Sequence, residues 1–257
     1  MNTKTIGLAG LTVMLVATAS PGMGQPPPLT SDQEARVTEI VRAYLLAHPE
    51  VIGEAMQALR ERQSAEEAAK VAQGVQQHRG ELLADPTSPV GGNAEGPVTV
   101  VEFFDYNCPY CRRAEPVLAE LLTKNPDVRL VYKEFPTLAD SSRFAARAAL
   151  AAGRQSPELY KAFHNALMKA EGRLAEDAVV QIAREAGVDV DRMRADMEDP
   201  AIAQSIDKNI ELARAIGVSG TPTFVIEDAV LFGFKPLQQM ERAIADARPP
   251  PAPTPAR

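Results

Sequence analysis

Both cysteines of the chain, Cys108 and Cys111, fall in one run, Phe103-Phe104-Asp105-Tyr106-Asn107-Cys108-Pro109-Tyr110-Cys111. A bond between them would be a poor staple. Closing a four-residue loop is worth about 2 kcal/mol of unfolded-chain entropy, against about 4.7 kcal/mol for a 100-residue loop. On a helical turn, however, residues three apart meet the Cα separation of roughly 4.4–6.8 Å that a disulfide tolerates. Such a pair opens and closes with little backbone movement, which points to redox exchange. That chemistry runs through thiolate, and in Cys-x-x-Cys pairs the thiol pKa falls from about 8.5 to between about 3.5 and 7.5. At a helix N-terminus Cys108 meets unpaired N–H groups and the positive end of the dipole. Pro109 suits the first helical position, where its missing N–H would be unpaired anyway. Cys108 is expected as the exposed nucleophile and Cys111 as the buried resolving thiol, with Pro109 and Tyr110 tuning the potential, where 30 mV is about 1.4 kcal/mol. The rival chemistry for the same sulfurs is metal binding: they make half of a typical zinc set, though they are soft enough for Cu(I).

Other residues join this pair. In Gly220-Thr221-Pro222-Thr223 the proline cannot donate to a sheet ladder, which confines it to an edge, a strand start or a bulge. A cis Thr221–Pro222 bond facing the sulfurs is expected, leaving the Thr221 backbone to pair with an extended substrate strand. Glu102 lies on an otherwise apolar strand. Buried beneath the disulfide, its carboxylate would exchange the proton of Cys111, since desolvation raises its pKa. Lys133, on the neighbouring strand, could pair with Glu102, whose alternative is to point outward at a strand edge. His48 and His78 read as surface residues and His164 as a helix-packing residue, with no metal-ligand spacing among the three histidines. Glu134-Phe135-Pro136 is expected to end a strand without chemistry of its own.

The elements that position these residues follow from pattern. Val98 to Phe104 and Val128 to Lys133 read as buried strands, and Cys108 to Leu122 as a helix between them. A helical connection makes the strands parallel. Residues 140–214 are Ala-rich and helical, broken at Gly153, Gly172, Gly187 and Pro200. Val218 to Ile226 and Ala229 to Phe234 read as strands, and Gln238 to Ala247 as a last helix. The order β-α-β, helical insert, ββα is an α/β thioredoxin-like fold with an inserted α-helical domain. Upstream lies a helical region, 25–83. Ser31 and Glu34 match a capping box, Pro49 separates two helices, and an apolar stripe runs through Val37, Ile40, Val41, Tyr44, Val51, Ile52, Met56 and Leu59. Beyond Arg60 the pattern fades into an expected solvated arm. The stripe is expected to join copies of the chain through residues 31–80. Residues 84–96 read as a linker or ordered loop, 97–247 as the main domain, and 248–257 as a disordered Pro-rich tail.

Lys4, the apolar stretch Ile6 to Ala19 and the small residues after it read as a signal peptide over 1–24, too short for a membrane span of about 20 residues. The mature protein is expected in the periplasm. Formal net charge is −7, and no Lys/Arg cluster stands out, so nucleic acid and anionic membrane are poor partners.

The runs Val101 to Cys111, Lys133 to Pro136 and Gly217 to Phe224 together resemble DsbA-family thiol–disulfide oxidoreductases over about 97–247. The resemblance implies a thioredoxin fold acting without cofactor on cysteines of exported proteins, recharged by a membrane or periplasmic redox partner. It places Cys108, Cys111 and Glu102 on catalytic positions, and Thr221 and Pro222 on the substrate-binding ones. Ile40 to Ile52 is similar to the N-terminal region of ScsC-type, copper-tolerance-associated members, some of which oligomerise and shuffle disulfides. The chain departs from the strongly oxidising pattern at Tyr110, where His is typical, and at Thr221, where Val is. Thr before the cis-proline is similar to isomerases.

Overall fold

The computed structural model of the chain describes residues 29–248. The expected signal peptide at 1–24 and the tail beyond Arg248 lie outside the described residues. Among the described residues no helix is long and apolar enough to cross a membrane.

The chain divides into two compact units, one ending at Leu59 and the other starting at Arg60. In the first, helix α1 (Ser31–Ala47) starts in a capping box made by Thr30 and Gln33, one residue before the expected Ser31 and Glu34. Thr30, Ser31 and Asp32 are all competent caps, so composition does not choose among them. No residue of α1 is buried. Val37, Ile40, Val41 and Tyr44, with Ile52, Met56 and Leu59 on the first half of α2 (Glu50–Gln77), stand exposed.

The second unit runs through the rest of α2, α3 (Arg79–Leu83), β1 (Val90–Gly92), β2 (Val98–Phe104), α4 (Pro109–Lys124) and β3 (Val128–Glu134). Then come α5 (Asp140–Gln155), α6 (Pro157–Lys169), α7 (Glu176–Glu185), α8 (Val190–Met197) and α9 (Pro200–Ala215). β4 (Thr223–Ile226), β5 (Ala229–Phe232) and α10 (Leu237–Ala247) close it. The strands order as β1-β3-β2-β4-β5. β2 and β3 are parallel, and the remaining pairings are antiparallel. Every residue of β2 is buried, as expected for a strand covered on both faces.

Alternation along β2 and β3 sorts side chains onto two faces. Val98, Val100, Phe104, Leu130 and Tyr132 pack with α4, α10 and the inserted helices. Val101, Phe103 and Val131 pack with Val75, Leu82, Leu212, Ala213 and Val218. The segment beyond Arg60 stays exposed as far as Lys70, but it does not remain a solvated arm: the end of α2 and α3 cover the second face of the sheet. Its apolar residues are few and far apart, which hid the stripe, but a sheet with this apolar composition on both faces requires the cover. The expected linker at 84–96 contains β1, an edge strand whose Val90 sits opposite Val131.

Lys133 alternates onto the second face with Phe103 as its register partner, whereas Glu102 faces Tyr132 on the first. The Lys133–Glu102 pair is therefore absent. The Lys133 ammonium donates instead to the Glu81 carbonyl and to Asp85 Oδ2, both at 2.8 Å. Burial works against the Asp85 carboxylate, but Lys133 and the Thr87 donors outweigh it and hold its pKa well down.

In the insert, Gly153 lies inside α5 and the break comes at Ser156, whose hydroxyl accepts from the Leu159 N–H. The alanines of α5, Ala145, Ala146, Ala148, Ala149, Ala151 and Ala152, are all buried, so small side chains bring neighbouring helices close. Val218 to Pro222 is a loop rather than strand, entered at Gly217 with a positive φ of 79°; the Thr221–Pro222 bond within it is cis, as expected.

A Cβ on Gly74 of α2 would stand 2.9 Å from Ile216 Cα and 3.1 Å from the Ala215 carbonyl oxygen. Helix propensity alone makes Gly→Ala stabilising by about 1 kcal/mol, but backbone atoms cannot rotate away. Gly74→Ala is expected to destabilise by about 1–3 kcal/mol in urea unfolding. A gain in stability would mean that α2 does not dock here.

Candidate active site

The strand β2 delivers its last residues into a turn that is held before the helix begins. The buried Asp105 carboxylate accepts from Asn107 N–H at 2.8 Å and from Thr137 and Leu138 N–H at 3.0 Å each. Asn107 in turn accepts from Leu174 N–H at 2.8 Å and donates to Ser142 Oγ at 3.0 Å. The turn before Cys108 is thus tied to both ends of the first inserted helices. The Asp-x-Asn spacing is a legible Asx-turn signal, although Asp105 and Asn107 were not singled out from the sequence.

Cys108 is the N-cap of α4, with φ −81° and ψ 115°, and Pro109 takes the first helical position. Its Sγ lies 3.3 Å from the Thr221 carbonyl oxygen, which accepts from the sulfur only while it is protonated. Cys108 and Thr221 are thus brought together across the molecule, and Glu102 lies on the sheet face that packs against Cys111. Both cysteines are free. Cys108 was expected to be exposed, yet it is only 4% exposed. Thr221 and its own helix turn close over the small side chain, while Pro109 and Tyr110 stand outside it, Tyr110 at 55%.

The two sulfurs differ in ionisation. The Cys111 thiol donates to Cys108, and this bond is the main cause that lowers the Cys108 pKa from 9.0 to about 5. Burial opposes the shift. The Thr221 side chain and the N–H groups of Cys111 and Tyr110 reinforce it. Burial then pushes the Cys111 thiol far up, assisted by the Cys108 thiolate and Glu102. At neutral pH one sulfur is ionised and its neighbour holds a proton.

Glu102 lies under this pair, fully buried, and neither carboxylate oxygen has a protein partner. Burial raises its pKa well above the ordinary value, with Glu115, Glu134 and Cys108 adding like charge. The outward alternative is thereby excluded. Around the same face sits a polar network that nothing in the sequence announced. Tyr106 and Tyr160 hydroxyls donate to Glu134 Oε1 at 3.0 and 3.2 Å. His164 Nδ1 lies 3.0 Å from the Tyr106 oxygen, and the His164 ring packs on Phe104, Tyr106, Tyr132 and Tyr160. His164 is thus a packing residue, as expected, while Glu134 is more than a strand end. Among the described residues no group of three or more His, Cys, Asp or Glu is placed to hold a metal ion.

With this geometry in place, two family models match the chain. The DSBA-like thioredoxin domain covers residues 99–245, and the copper resistance protein ScsC N-terminal domain covers 33–66. A thioredoxin-like oxidoreductase from Silicibacter pomeroyi is 50% identical with a TM-score of 0.64, over 66% of this chain and 96% of that one. BcfH of Salmonella enterica Typhimurium is 33% identical with a TM-score of 0.72, over 84% of this chain and 96% of that one. Among curated proteins, the Na(+)/H(+) antiporter NhaA 1 of Salinispora arenicola is 35% identical over 62% of this chain. The chain spans about a quarter of the length of the first curated relatives it matches, 24% in that case.

Two expectations test the electrostatics. In the reduced protein, thiolate absorbance should titrate with a midpoint near pH 5. It should vanish in Cys108→Ser and move up by at least one unit in Cys111→Ala, which removes the largest lowering cause. An unmoved midpoint in Cys111→Ala would refute the bond between the sulfurs. For Glu102, the folded pKa is raised, so its contribution to stability is complete below its ordinary value of 4.5 and is lost as pH rises through the folded value. Glu102→Gln should therefore gain stability over wild type as pH rises above about 5, read as the urea midpoint across pH. Parallel profiles would place the carboxylate in water.

Proposed function

Since the chain belongs to the DSBA-like thioredoxin domain family, we propose that it is a thiol–disulfide oxidoreductase acting on cysteines of exported proteins. The observation that carries this reading is the opposed ionisation of two sulfurs three residues apart, with Cys108 Sγ at 3.3 Å from the Thr221 backbone.

In the oxidising direction a client thiolate attacks Cys108 Sγ. The Cys108–Cys111 bond breaks, and the electron pair leaves on Cys111. Protonated Glu102 supplies the proton that Cys111, with its raised pKa, takes up. The client's second thiolate then attacks its own sulfur in the mixed disulfide and expels the Cys108 thiolate. The client loses two electrons and the pair gains them. Run from the reduced pair, the Cys108 thiolate attacks a wrong client disulfide and reshuffles it. The client lies extended along Thr221 and Pro222, beside Pro109 and Tyr110. Thiolate stabilisation favours the reduced pair and makes the couple more oxidising. It is complete above about pH 9 and lost as pH falls through about 5.

The periplasm is the setting, supported by the signal-like residues before Ser20 and by the stability of exchange-active disulfides in oxidising compartments. A membrane or periplasmic redox partner restores the pair. A copper relay through the same sulfurs is the weaker reading: both ligands would have to be thiolates, and burial keeps Cys111 protonated.

The helices before Arg60 associate copies of the chain. Their apolar residues are exposed, and the ScsC N-terminal match covers 33–66. Residues from Arg60 onward belong to the compact second unit, so the informative deletion is 31–59 rather than 31–80. That variant should weigh as a monomer by light scattering, oxidise a dithiol peptide as wild type does, and lose most refolding of scrambled ribonuclease. An unchanged mass would refute association through these helices. Cys108→Ser should abolish exchange, and Cys111→Ser should stall as a client mixed disulfide visible by mass spectrometry. Exchange that survives Cys108→Ser would overturn the catalytic reading.

A further inference from the structure

A groove of about 660 Å³ borders the first turns of α4, with Asn107 and Pro109, the residues on either side of Cys108, in its lining. Its other walls include Leu138 and the α6–α7 connection at Gly172 and Arg173. We propose that this groove seats the polypeptide flanking a client's cysteine and selects clients carrying an acidic side chain there. The inference rests on the thiol–disulfide reading and names the substrate class of that same site.

Charge is the first argument. The chain as a whole carries −7, yet the groove is lined by Arg112, Arg113 and Arg173 against Glu171 alone. Among the described residues, none of these arginines forms an ion pair with a carboxylate. Basic charge facing a groove beside a nucleophile, in an acidic protein, is complementary to an acidic partner.

Preorganisation is the second. Arg112 donates from Nε to the Tyr106 carbonyl at 2.8 Å and from Nη1 to the Gly172 carbonyl at 2.5 Å. Its guanidinium therefore bridges the catalytic helix and the insert, and its Nη2 is buried without a protein partner. Arg113 is held over the rings of Tyr110 and Phe234 at 5.7 and 5.2 Å from their centroids. Side chains already ordered cost little further entropy on binding. Leu138, 56% exposed, offers an apolar surface beside them for the stem of a client residue. Together these features set ordered positive charge beside an exposed apolar side chain.

The test uses the full chain in its oxidised form and three synthetic dithiol peptides, identical except for Glu, Ala or Lys on both sides of each cysteine. At low ionic strength kcat/KM for peptide oxidation is expected to fall in the order Glu, Ala, Lys, with about tenfold between the extremes. The spread should collapse in about 0.5 M salt. Peptide chemistry works the other way, because a carboxylate beside a thiol raises its pKa and depletes the attacking thiolate. A Glu preference therefore reports the groove. Arg173→Glu should shrink or invert the order, and Arg173→Lys should retain it. Equal kcat/KM for all three peptides would overturn the groove inference and leave the exchange reading standing. Turnover of none of them would overturn the exchange reading, and the inference with it. Arg173-dependent binding to phosphatidylglycerol vesicles, with flat peptide kinetics, would assign the groove to a membrane surface and overturn it as well.

Discussion

An uneven division of charge between two sulfurs three residues apart organises the site. Cys111 is sealed in the core, where its thiolate would be costly, so it keeps its proton and points it at Cys108. Cys108, as the cap of α4, collects that proton donor together with helix N–H groups, and its negative charge becomes the cheaper of the two. The asymmetry exists only because one residue lies at the helix tip and the other one turn inside. A free dithiol in water has no such division, since both sulfurs titrate near 8.5.

Holding that geometry demands rigidity from segments distant in sequence. Asp105 pins the turn to Thr137 and Leu138. Asn107 reaches the α6–α7 connection through Leu174, and Arg112 reaches it through Gly172. The inserted helices are therefore fastened to the approach of Cys108 rather than appended to a finished thioredoxin core. Beneath them Glu102, Glu134 and His164 occupy the same face of the sheet. Burial raises the pKa of both carboxyls.

The opposite face has a structural task. Lys133 is almost wholly buried there and is neutralised by Asp85 and the Glu81 carbonyl. A charge so placed is tolerable only with its partners present, and those partners come from α3 and the loop after it. The segment between the first unit and β1 thereby becomes part of the fold around the two cysteines, while the apolar stripe before Arg60 stands exposed.

Much was legible in the residues themselves. The Cys-x-x-Cys spacing with Pro109 named the chemistry and put Cys108 at a helix start. The apolar runs at 98–104 and 128–133 with a helix between them implied parallel pairing, and Thr221-Pro222 implied a cis bond facing the sulfurs. These are local properties, set by side-chain type and short-range spacing. What the sequence left open depended on facing and distance: which side of β3 carries Lys133, how sparse residues such as Val75 and Leu82 find a sheet to cover, how little of Cys108 meets solvent, and which buried hydroxyls gather on Glu134. Alternation along a strand assigns residues to two faces, but not which helix covers each face. That choice is made by long-range packing, so only the tertiary structure decided the partners of Lys133, the isolation of Glu102 and the charge of the groove beside Cys108.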